Sequence, residues 1–378
     1  MNIGIIEIRQ AISRKELRKF LTFPWKIYKN DPLWVPSILA DRYKTVDPKR
    51  GVFFQRGTAE FFTAWKNGEM VGTICTAVDY KANESVNKNE CVFGFFECIN
   101  DPQTANALFE HAVKWAKAHG LASLYGPFNL DYEDGYGILI EGRDRPPVLL
   151  CGHTTDYYQR FVENYGFKPG RGDNIAYARD LRSDVDGLEK MHTFADRVRK
   201  RKKFIVRYAD FSRWKEEVDH VFELINPSLQ HLNGHVPWQR EALHELMAPF
   251  VKLADPDLIL FAELDGKPIG FFPAIPNFNE ALIHANGLRY PWDYLTAWRL
   301  SRKHPKSVAI KSVLVLPEYW GSGVAILLFS EMAKVLLAKG YDWVDFSLTS
   351  ADNPRTPVLA ERIGAKIYKR YRVYRLVF

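Results

Sequence analysis

The alternation of apolar and polar residues predicts two hairpins of the same design. Residues 61–72 read FFTAWKNGEMVG and residues 259–270 read ILFAELDGKPIG. Each segment places an Asn-Gly or Asp-Gly pair between two apolar runs, and such pairs favour a tight β-turn. We therefore expect one antiparallel hairpin in each half of the chain.

The two hairpins belong to a longer internal repeat. The same spacing that aligns them also aligns VENYGFK with AERIGAK near the end of each half. The matched pairs are Ala64 with Ala262, Gly68 with Gly266, Gly72 with Gly270, Glu163 with Glu361, and Gly166 with Gly364. Two copies of one domain explain this pattern. We expect a first copy at 1–182, a basic linker at 183–207 and a second copy at 208–378.

Each copy also carries a stripe of apolar residues at helical spacing. In the second copy Gly340 fits the C-terminal cap of this helix. In the first copy Asp101 and Pro102 fit the cap and the first helical position, and Gly120 ends the helix. The stripes consist of Ala325, Leu328, Phe329, Met332, Val335 and Leu336, and of Ala105, Leu108, Ala112 and Trp115. We expect both stripes to face the core.

Composition fits an ordinary enzyme. The chain has 378 residues, of which 47% are hydrophobic, enough for about two or three domains with their own cores. No apolar run approaches the roughly 18 residues of a membrane span, and the start MNIGIIEIRQ lacks signal-peptide features. We expect a cytoplasmic protein without a membrane partner. Cys75, Cys91, Cys98 and Cys151 lack the spacing of a zinc site and are expected to be reduced core thiols.

The positive charge is concentrated in one segment. The net charge is +7, and the run DRVRKRKKFIVR at 196–207 supplies most of it. A local run of this kind is typical of a solvated segment between domains. The alternative is a binding patch for phosphate, RNA or another polyanion. No interleaved aromatic residues indicate a platform for single-stranded nucleic acid.

The segment SVLVLPEYWGSGVA, at 312–325, predicts a binding site for an anion. An apolar strand that runs through a glycine turn into a helix points free N–H groups at one place. The sequence lacks GxxxxGK followed by Ser or Thr, which argues against a nucleoside triphosphate loop. The dinucleotide pattern GxGxxG also fails, because Ile326 stands where a third glycine is required. A structural corner between strand and helix is the alternative.

This segment resembles the acyl-CoA-binding motif of the GCN5-related N-acetyltransferase (GNAT) superfamily. The match covers Trp320, Gly321, Ser322, Gly323, Val324 and Ala325, with Pro317 and Glu318 ahead of it. Trp320 departs from the family pattern, which has Arg or Gln there, so that pyrophosphate binding would depend on backbone N–H groups. The counterpart at 92–104, VFGFFECINDPQT, has no such loop. Only the second copy is therefore expected to hold a cofactor.

The resemblance implies an α/β fold with two tandem GNAT-like domains, each a twisted, mostly antiparallel sheet flanked by helices. It implies a cofactor, acetyl-CoA or another acyl-CoA, held where two central strands splay apart. Backbone groups of Val315 and Leu316 would bind the pantetheine arm, and Asn353 would lie near it. The tyrosine that serves as the acid in many family members is replaced by Ala360.

Other residues must therefore be considered for proton transfer. Tyr368 and Tyr371 lie beside cationic residues that could lower a phenol pKa, although a final strand whose aromatic side chains pack on the sheet is the favoured explanation. Glu318 and Asp345 are the candidate bases, acting through water. Each of these carboxylates is also explained as a surface or capping charge.

Extra sequence appears at different places in the two copies, around 126–150 and around 287–307. Insertions of this kind tend to carry specificity. The first contains acidic residues that could attract a cationic amine, or that could form a solvated loop: Asp131, Glu133, Asp134, Glu141 and Asp144. We expect Asp131, Glu133 and Asp134 to contact the substrate.

The sequence thus predicts an acyl-CoA-dependent N-acyltransferase, with acetyl transfer to an amine of a small molecule or peptide as the expected reaction. One alternative is aminoacyl or peptidyl transfer from aminoacyl-tRNA, in which the basic run would bind RNA. Another is a non-catalytic protein that binds CoA or a related ligand. The residues do not determine the acceptor, the acyl length or the oligomeric state.

Overall fold

Two mixed β-sheets organise the chain in the computed structural model, which describes residues 5–130, 137–183, 185–231, 237–248, 254–353 and 356–378. In the first half the strands are β1 (Ile6–Gln10), β2 (Gly57–Lys66), β3 (Glu69–Asp79), β4 (Glu90–Cys98), β5 (Ser123–Gly126), β6 (Ile138–Glu141), β7 (Lys168–Pro169) and β8 (Asn174–Asp180). The helices there are α1 (Arg14–Thr22), α2 (Pro24–Ile27), α3 (Leu39–Val46), α4 (Tyr80–Ser85), α5 (Pro102–Ala118) and α6 (Tyr157–Tyr165).

The second half repeats this alternation of helices and strands. Its strands are β9 (Ile205–Tyr208), β10 (Ile259–Leu264), β11 (Lys267–Pro276), β12 (Ser307–Ile310), β13 (Leu314–Val315), β14 (Trp343–Ser350), β15 (Lys366–Arg372) and β16 (Tyr374–Val377). Its helices are α7 (Val185–Arg201), α8 (Trp214–Leu229), α9 (Arg240–Met247), α10 (Asn279–Leu282), α11 (Pro291–Ser301), α12 (Val324–Ala338) and α13 (Thr356–Arg362).

Both predicted hairpins are present. β2 pairs with β3 and β10 pairs with β11, in each case antiparallel. Asn67 and Gly68 have φ values of 51° and 79°, and Asp265 and Gly266 have 50° and 76°. Two consecutive residues with positive φ form the turn whose twist matches that of the flanking strands. The repeat in the sequence is therefore a repeat in the structure.

The two sheets exchange strands. The first has the order β1-β2-β3-β4-β5-β16-β7, so the last strand of the chain completes the sheet of the first copy. The second has the order β6-β15-β8-β14-β12-β11-β10-β9, and β13 pairs with β11. It therefore contains two strands from the first half. The domain boundaries at 182 and 207 stay a sequence prediction, because each sheet takes strands from both sides of them.

The helix of each repeat forms as expected. α5 begins at Asp101, whose side chain accepts a hydrogen bond from the N–H of Gln103, and its apolar stripe is fully buried. α12 begins after Gly323 and buries its own stripe against the second sheet. Gly120 and Gly340 follow the two helices with φ values of 71° and 83°, the left-handed conformation that ends many helices.

The segment expected to be a linker, 183–207, contains regular structure. α7 occupies most of it, and its remainder enters β9, which pairs with β10. α7 packs along α12, where Arg199 forms an ion pair with Glu331 and His192 Nδ1 lies 2.7 Å from Ser330 Oγ. The basic run thus covers the end of a packed helix, the residues that follow it and part of β9.

Among the residues that the structure describes, no helix is long and apolar enough to cross a bilayer. In the same residues, no group of three or more His, Cys, Asp or Glu side chains is placed to hold a metal ion. The four cysteines are buried and form no disulfide. Burial raises the pKa of Cys91 to about 12, so this thiol is protonated at neutral pH.

Candidate functional site

The second sheet opens at its centre. β12 and β14 run parallel and pair from Ser307 with Trp343 to Ala309 with Asp345, after which the pairing stops. The chain then kinks at Ser312, which has a φ of 54°, and continues as β13, which pairs with β11 on the far side. A gap therefore separates β13 from β14 beyond Asp345, as the resemblance implies.

The backbone of Val315 faces this gap. The N–H of Leu316 donates to the carbonyl of Ile269 on β11 at 3.0 Å. Because backbone groups alternate direction along a strand, the N–H and carbonyl of Val315 point to the opposite edge. The carbonyl accepts a hydrogen bond from Nε1 of Trp320 at 2.8 Å. Of the groups expected to bind pantetheine, the Leu316 N–H and the Val315 carbonyl thus have protein partners.

The glycine turn that follows presents unused hydrogen-bond donors. Gly321 and Gly323 have φ values of 77° and 99°, and Gly323 caps α12 without a side-chain hydrogen bond. Within the described chain, no acceptor is assigned to the N–H groups of Gly321, Gly323, Ala325 and Ile326. Such groups at the start of a helix form an anion site, because the helix dipole adds a positive potential.

α7, the helix that carries much of the basic run, packs against this turn. A Cβ added at Gly323 would lie 2.6 Å from Val198 on α7, so the helix and the turn are in close contact. In the sequence on either side of Val198, the basic run is exposed: Arg197, Arg199, Lys200, Arg201, Lys202 and Lys203. The glycine turn therefore contacts the part of α7 in which the positive charge of the chain is concentrated.

The corresponding places in the first copy are filled. The carbonyl of Phe128 lies 1.5 Å from where a Cβ would stand on Gly94, and the N–H of Phe128 donates to Phe93 at 2.8 Å. Asn129 accepts from the N–H of Phe95 at 2.8 Å. The chain itself thus occupies the gap beside β4. At the start of α5, Asp101 occupies the position of an anion and forms an ion pair with Lys66 at 3.0 Å.

Asp345 and Tyr368 meet at the mouth of the gap. The Tyr368 hydroxyl donates to Oδ2 of Asp345 at 2.5 Å, and Lys311 Nζ lies 3.9 Å from Oδ1. Asp345 is fully buried. Both residues were predicted from the sequence as candidates for proton transfer, and the structure brings them together.

A β-bulge makes this contact. β8 lies between β14 and β15, and Ala178 pairs with Asp345 on one side. On the other side Ile367 pairs with Tyr177 and Lys369 with Ala176, which leaves Tyr368 as the extra residue. Bulges redirect side chains and are common beside active sites. The small side chain at Ala178 leaves room for Tyr368 to reach across β8.

The expected direction of the tyrosine pKa shifts is wrong. Burial raises the pKa of Tyr368 well above its usual value, and the neighbouring charge of Asp345 raises it further. Burial likewise raises the pKa of Tyr371. The cost of burying a phenolate exceeds the stabilisation that the nearby cations could give it. Arg370 and Arg372 are engaged in ion pairs with Asp173 instead.

Tyr371 and Lys369 hold the first copy against this site. The Tyr371 hydroxyl donates to the carbonyl of Gly152 at 3.0 Å. Lys369 is fully buried and donates to the carbonyls of Gly142 and Arg145, the latter at 2.7 Å. Burial lowers the pKa of Lys369 to about 8.

The insertion of the first copy therefore covers the face that carries Asp345. β6 pairs with β15, and the Arg145 guanidinium lies 5.2 Å from the ring centre of Tyr368. Asn279 donates to the carbonyl of Pro147 at 3.0 Å. Glu141 pairs with Arg370. The acidic residues proposed for the acceptor, Asp131, Glu133 and Asp134, lie outside the described residues.

The remaining candidates lie apart from the Asp345 contact. Glu318 is exposed in a one-turn 3-10 helix at Pro317–Tyr319. Asn353 lies in the turn after β14, where its N–H donates to the carbonyl of Ser350 at 3.0 Å. Ala360, at the position where many family members have a tyrosine, is buried on α13.

The sequence did not reveal that Lys311 lies beside Asp345, or that Arg145 contacts the ring of Tyr368. Lys311 interrupts the apolar run that forms β12 and β13, and a lone cation in such a run is the signal that could have found it. Arg145 belongs to the other copy, and nothing in its neighbourhood of the sequence points to Tyr368.

A gapped parallel strand pair, a glycine turn and the helix it begins define an acyltransferase architecture in the second half of the chain, and the first half repeats the hairpin and the helix without the open gap or the glycine turn. The profile of the Acetyltransferase (GNAT) family matches residues 218–365. The chain is 30% identical to protein YghO of Escherichia coli (strain K12) over 376 residues, 97% of this chain and 94% of that protein. It is 29% identical to bacterial ceramide synthase of Caulobacter vibrioides over 368 residues, 95% of this chain and 94% of that protein.

Solved structures agree on the fold. A tandem GNAT protein from the clavulanic acid biosynthesis pathway has a TM-score of 0.56 at 12% identity, covering 99% of this chain and 98% of its own. A GCN5-related N-acetyltransferase from Sphaerobacter thermophilus has a TM-score of 0.52 at 14% identity, and the match covers 98% of this chain and 95% of that one. The chain belongs to the GNAT superfamily, as a tandem member and an N-acyltransferase.

Proposed function

We propose that this enzyme transfers an acyl group from an acyl-CoA, acetyl-CoA or a longer homologue, to a primary amine. The cofactor pyrophosphate would bind the N–H groups of Gly321, Gly323 and Ala325. The observation that carries the proposal is the contrast between two helix starts. α12 presents unused donors, whereas α5 is capped by the carboxylate of Asp101. Of these two helix starts, that of α12 leaves its donors available to an anion.

The basic run would bind the other phosphates of CoA. Lys202 and Lys203 are exposed at the end of α7, and Val198 in the preceding turn touches the glycine turn. Cations that converge on a phosphate form short, charge-assisted hydrogen bonds. Arg199 and Arg207 of the basic run form ion pairs with acidic neighbours, so this role falls to the exposed lysines at its centre.

The pantetheine arm would then enter the gap between β13 and β14, with the N–H of Val315 beside it. This places the thioester near Asp345 and Tyr368. The amine nitrogen attacks the thioester carbon, so that the C–N bond forms and the C–S bond breaks. Asp345 accepts the amine proton, Tyr368 donates its proton to the departing thiolate, and Asp345 returns a proton to Tyr368 through their hydrogen bond.

The raised pKa of Tyr368 suits this sequence of transfers. A phenol that stays protonated at neutral pH is available as an acid at each turnover, and Asp345 restores it. Lys311 Nζ lies 3.9 Å from Asp345 Oδ1 and supplies a positive charge beside this carboxylate. We assign the roles to Asp345 and Tyr368 ahead of Glu318 and Tyr371, which lack this mutual contact.

The acceptor class is proposed from a relative. A ceramide is the amide of a fatty acid with the amine of a long-chain base, and a ceramide synthase is 29% identical to this chain over almost its whole length. We therefore propose long-chain amino alcohols as the acceptors to test first, with fatty acyl-CoA as donor.

The cofactor site is tested by giving the second copy the carboxylate that the first copy has. Ser322 lies just before the cap of α12, and Ser322→Asp places a negative charge at the unused donors. We expect at least about 10-fold weaker acyl-CoA binding in calorimetry, because the carboxylate competes with pyrophosphate. Ser85→Asp, on the exposed end of α4, is the control of equal charge. Unchanged affinity in Ser322→Asp would exclude this turn as the site.

The reaction is tested with purified protein, a set of acyl-CoA donors and a set of amines. Release of CoA thiol that depends on both substrates, with the N-acyl product identified by mass spectrometry, is the expected result. CoA release without an added amine would identify a hydrolase instead.

A further inference from the structure

α11 exposes large apolar side chains along one face. Trp292 is 63% exposed, Leu295 53% and Trp298 51%, at intervals of three residues. Residues three apart lie on the same side of a helix. Tyr294, 53% exposed, adjoins them. A cluster of exposed large apolar side chains is typical of a surface that binds another protein, a membrane or a ligand.

The other side of α11 holds it to the rest of the fold. Asp293 is buried, and its carboxylate accepts from the N–H of Tyr290 at 2.9 Å. Just before the helix, Asn286 accepts from Nε1 of Trp25 at 2.7 Å, and the Arg289 guanidinium lies 4.7 Å from the Trp25 ring centre. The orientation of α11 is therefore fixed by contacts from both copies, and its apolar face is directed outward.

In the sequence that forms α11 and its flanks, cations outnumber carboxylates. Residues 281–306 contain one carboxylate, Asp293, which is buried. The cations of the same stretch are Arg289, Arg299, Arg302, Lys303 and Lys306. Arg302 lies 3.8 Å from the ring centre of Trp298. Cationic groups thus border the aromatic residues at the end of the helix.

These features match a lipid surface better than a protein partner. Tryptophan and tyrosine are enriched where hydrocarbon meets water, and helices with an apolar face bordered by Lys and Arg bind anionic bilayers in the plane of the interface. We propose that α11 docks on an anionic phospholipid bilayer, with Trp292, Leu295 and Trp298 among the acyl chains and Arg299, Arg302 and Lys303 on lipid phosphates.

This proposal replaces the expectation that the protein has no membrane partner. That expectation came from the lack of a long apolar run, and a helix that lies in the interface does not need one. Docking does not depend on the proposed reaction, because α11 and the glycine turn before α12 are different surfaces. It would place the enzyme where amphiphilic amines are dissolved.

The test is sedimentation of the full chain with vesicles of phosphatidylcholine, alone or mixed with phosphatidylglycerol in about equal amounts. We expect binding to the mixed vesicles that weakens with added salt. The triple variant Trp292→Ser, Leu295→Ser, Trp298→Ser should bind at least about 10-fold more weakly. Arg299→Gln with Arg302→Gln should reduce the preference for the anionic vesicles.

The control removes exposed apolar side chains elsewhere. Val52 and Tyr80 are 66% and 57% exposed, and Val52→Ser with Tyr80→Ser should bind vesicles like the unaltered chain. Circular dichroism and melting curves verify that each variant is folded. Ser322→Asp should also bind vesicles normally, so that failure of the cofactor site and failure of docking give different results.

Two outcomes overturn the proposal. One is that the unaltered chain ignores both kinds of vesicle, or that the triple variant binds them equally well. The other is a dimer in lipid-free ultracentrifugation that the triple variant converts to a monomer, without vesicle binding by either. The face would then be an interface between two copies of this chain.

Discussion

The hydroxyl of Tyr368 lies 2.5 Å from Oδ2 of Asp345, although a third strand, β8, separates the strands that carry them. The bulge at Tyr368 and the small residue Ala178 make this reach feasible. The contact joins a buried acid to a phenol that burial keeps protonated. It is the arrangement on which our account of proton transfer depends.

Tyr368→Phe is therefore expected to lower kcat by about 10²- to 10⁴-fold with little change in KM, because the thiolate loses its proton donor. Asp345→Asn should cause a similar loss. The double variant should be little worse than either single one, since the residues act as a unit. Steady-state kinetics with a fixed acyl-CoA donor measures all three.

Tyr371→Phe serves as the comparison for this prediction. It removes a phenol hydroxyl from the same strand, one that donates to the carbonyl of Gly152. We expect a loss of about 1 kcal/mol in the free energy of unfolding and nearly normal kcat. If Tyr371→Phe abolishes turnover while Tyr368→Phe does not, the roles assigned here are wrong.

Gly321 and Gly323, in the turn before α12, are predicted to differ in how much stability is lost when each is replaced by alanine. Both have positive φ, but a Cβ at Gly321 meets nothing within 4 Å, whereas a Cβ at Gly323 lies 2.6 Å from Val198. Gly321→Ala should reduce the free energy of unfolding by about 1 kcal/mol. Gly323→Ala should cost about 1–3 kcal/mol more, because the core is overpacked.

Adding Val198→Ala separates the two causes. In the Gly323→Ala background it should restore part of the lost stability, and in the Gly321→Ala background it should only destabilise. Urea unfolding of the single and double variants gives the coupling energy directly. Equal effects of the two glycine changes would mean that α7 does not press on the turn.

Glu97 is predicted to make stability depend on pH. Its carboxylate accepts from Tyr28 at 3.0 Å and Tyr158 at 2.7 Å, and burial raises its pKa to about 7. At pH values between the ordinary pKa of a glutamate and about 7, Glu97 is protonated in the folded state and ionised in the unfolded state. Its protonation therefore stabilises the fold fully below the ordinary pKa, and this stabilisation is lost as the pH rises through about 7.

Glu97→Gln keeps an acceptor for both tyrosines and removes the titration. The difference in unfolding free energy between the unaltered chain and this variant should shift by about 2 kcal/mol between acidic and mildly alkaline buffer. Glu60→Gln, which makes the same change on β2, two strands away in the same sheet, is the matched control. A difference that is independent of pH would contradict the raised pKa.

Lys369 is predicted to fix the insertion of the first copy over the site. Lys369→Met leaves the carbonyls of Gly142 and Arg145 without their donor, which should cost about 2–4 kcal/mol of unfolding free energy. Hydrogen exchange in the segment around Gly142 should accelerate. Lys366→Met, at an exposed position of the same strand, is the control and should change neither quantity.

The hairpins and the two repeated helices could be predicted because their signals are local, whereas the gap beside β13 was expected only from the family resemblance. An Asn-Gly or Asp-Gly pair encodes its turn by itself, and Asp101 marks a helix start without knowledge of the rest of the chain. The pairing of Asp345 with Tyr368 was beyond sequence reasoning. It depends on a bulge and on the insertion of β8, and neither leaves a trace in the composition of β15.

Trp320 makes a second contact that could not be predicted from the sequence. Its departure from the family pattern was visible, but its role was not. The indole donates to the carbonyl of Val315 and ties the turn back to the strand edge, a contact that depends on the path of the backbone. The packing of the basic run beside Gly323 was hidden for the same reason, because charge alone does not show which surface a helix lies against.

The position of β16 bears on how the protein is made. This strand, Tyr374–Val377, lies between β5 and β7 in the first sheet. A ribosome delivers the chain from its N-terminus, so β5 and β7 are synthesised long before the strand that lies between them. Exposed edges pair readily with other chains. Until β16 has been made, the first half of the nascent chain therefore presents unpaired strand edges, and the second sheet likewise lacks β15 between β6 and β8.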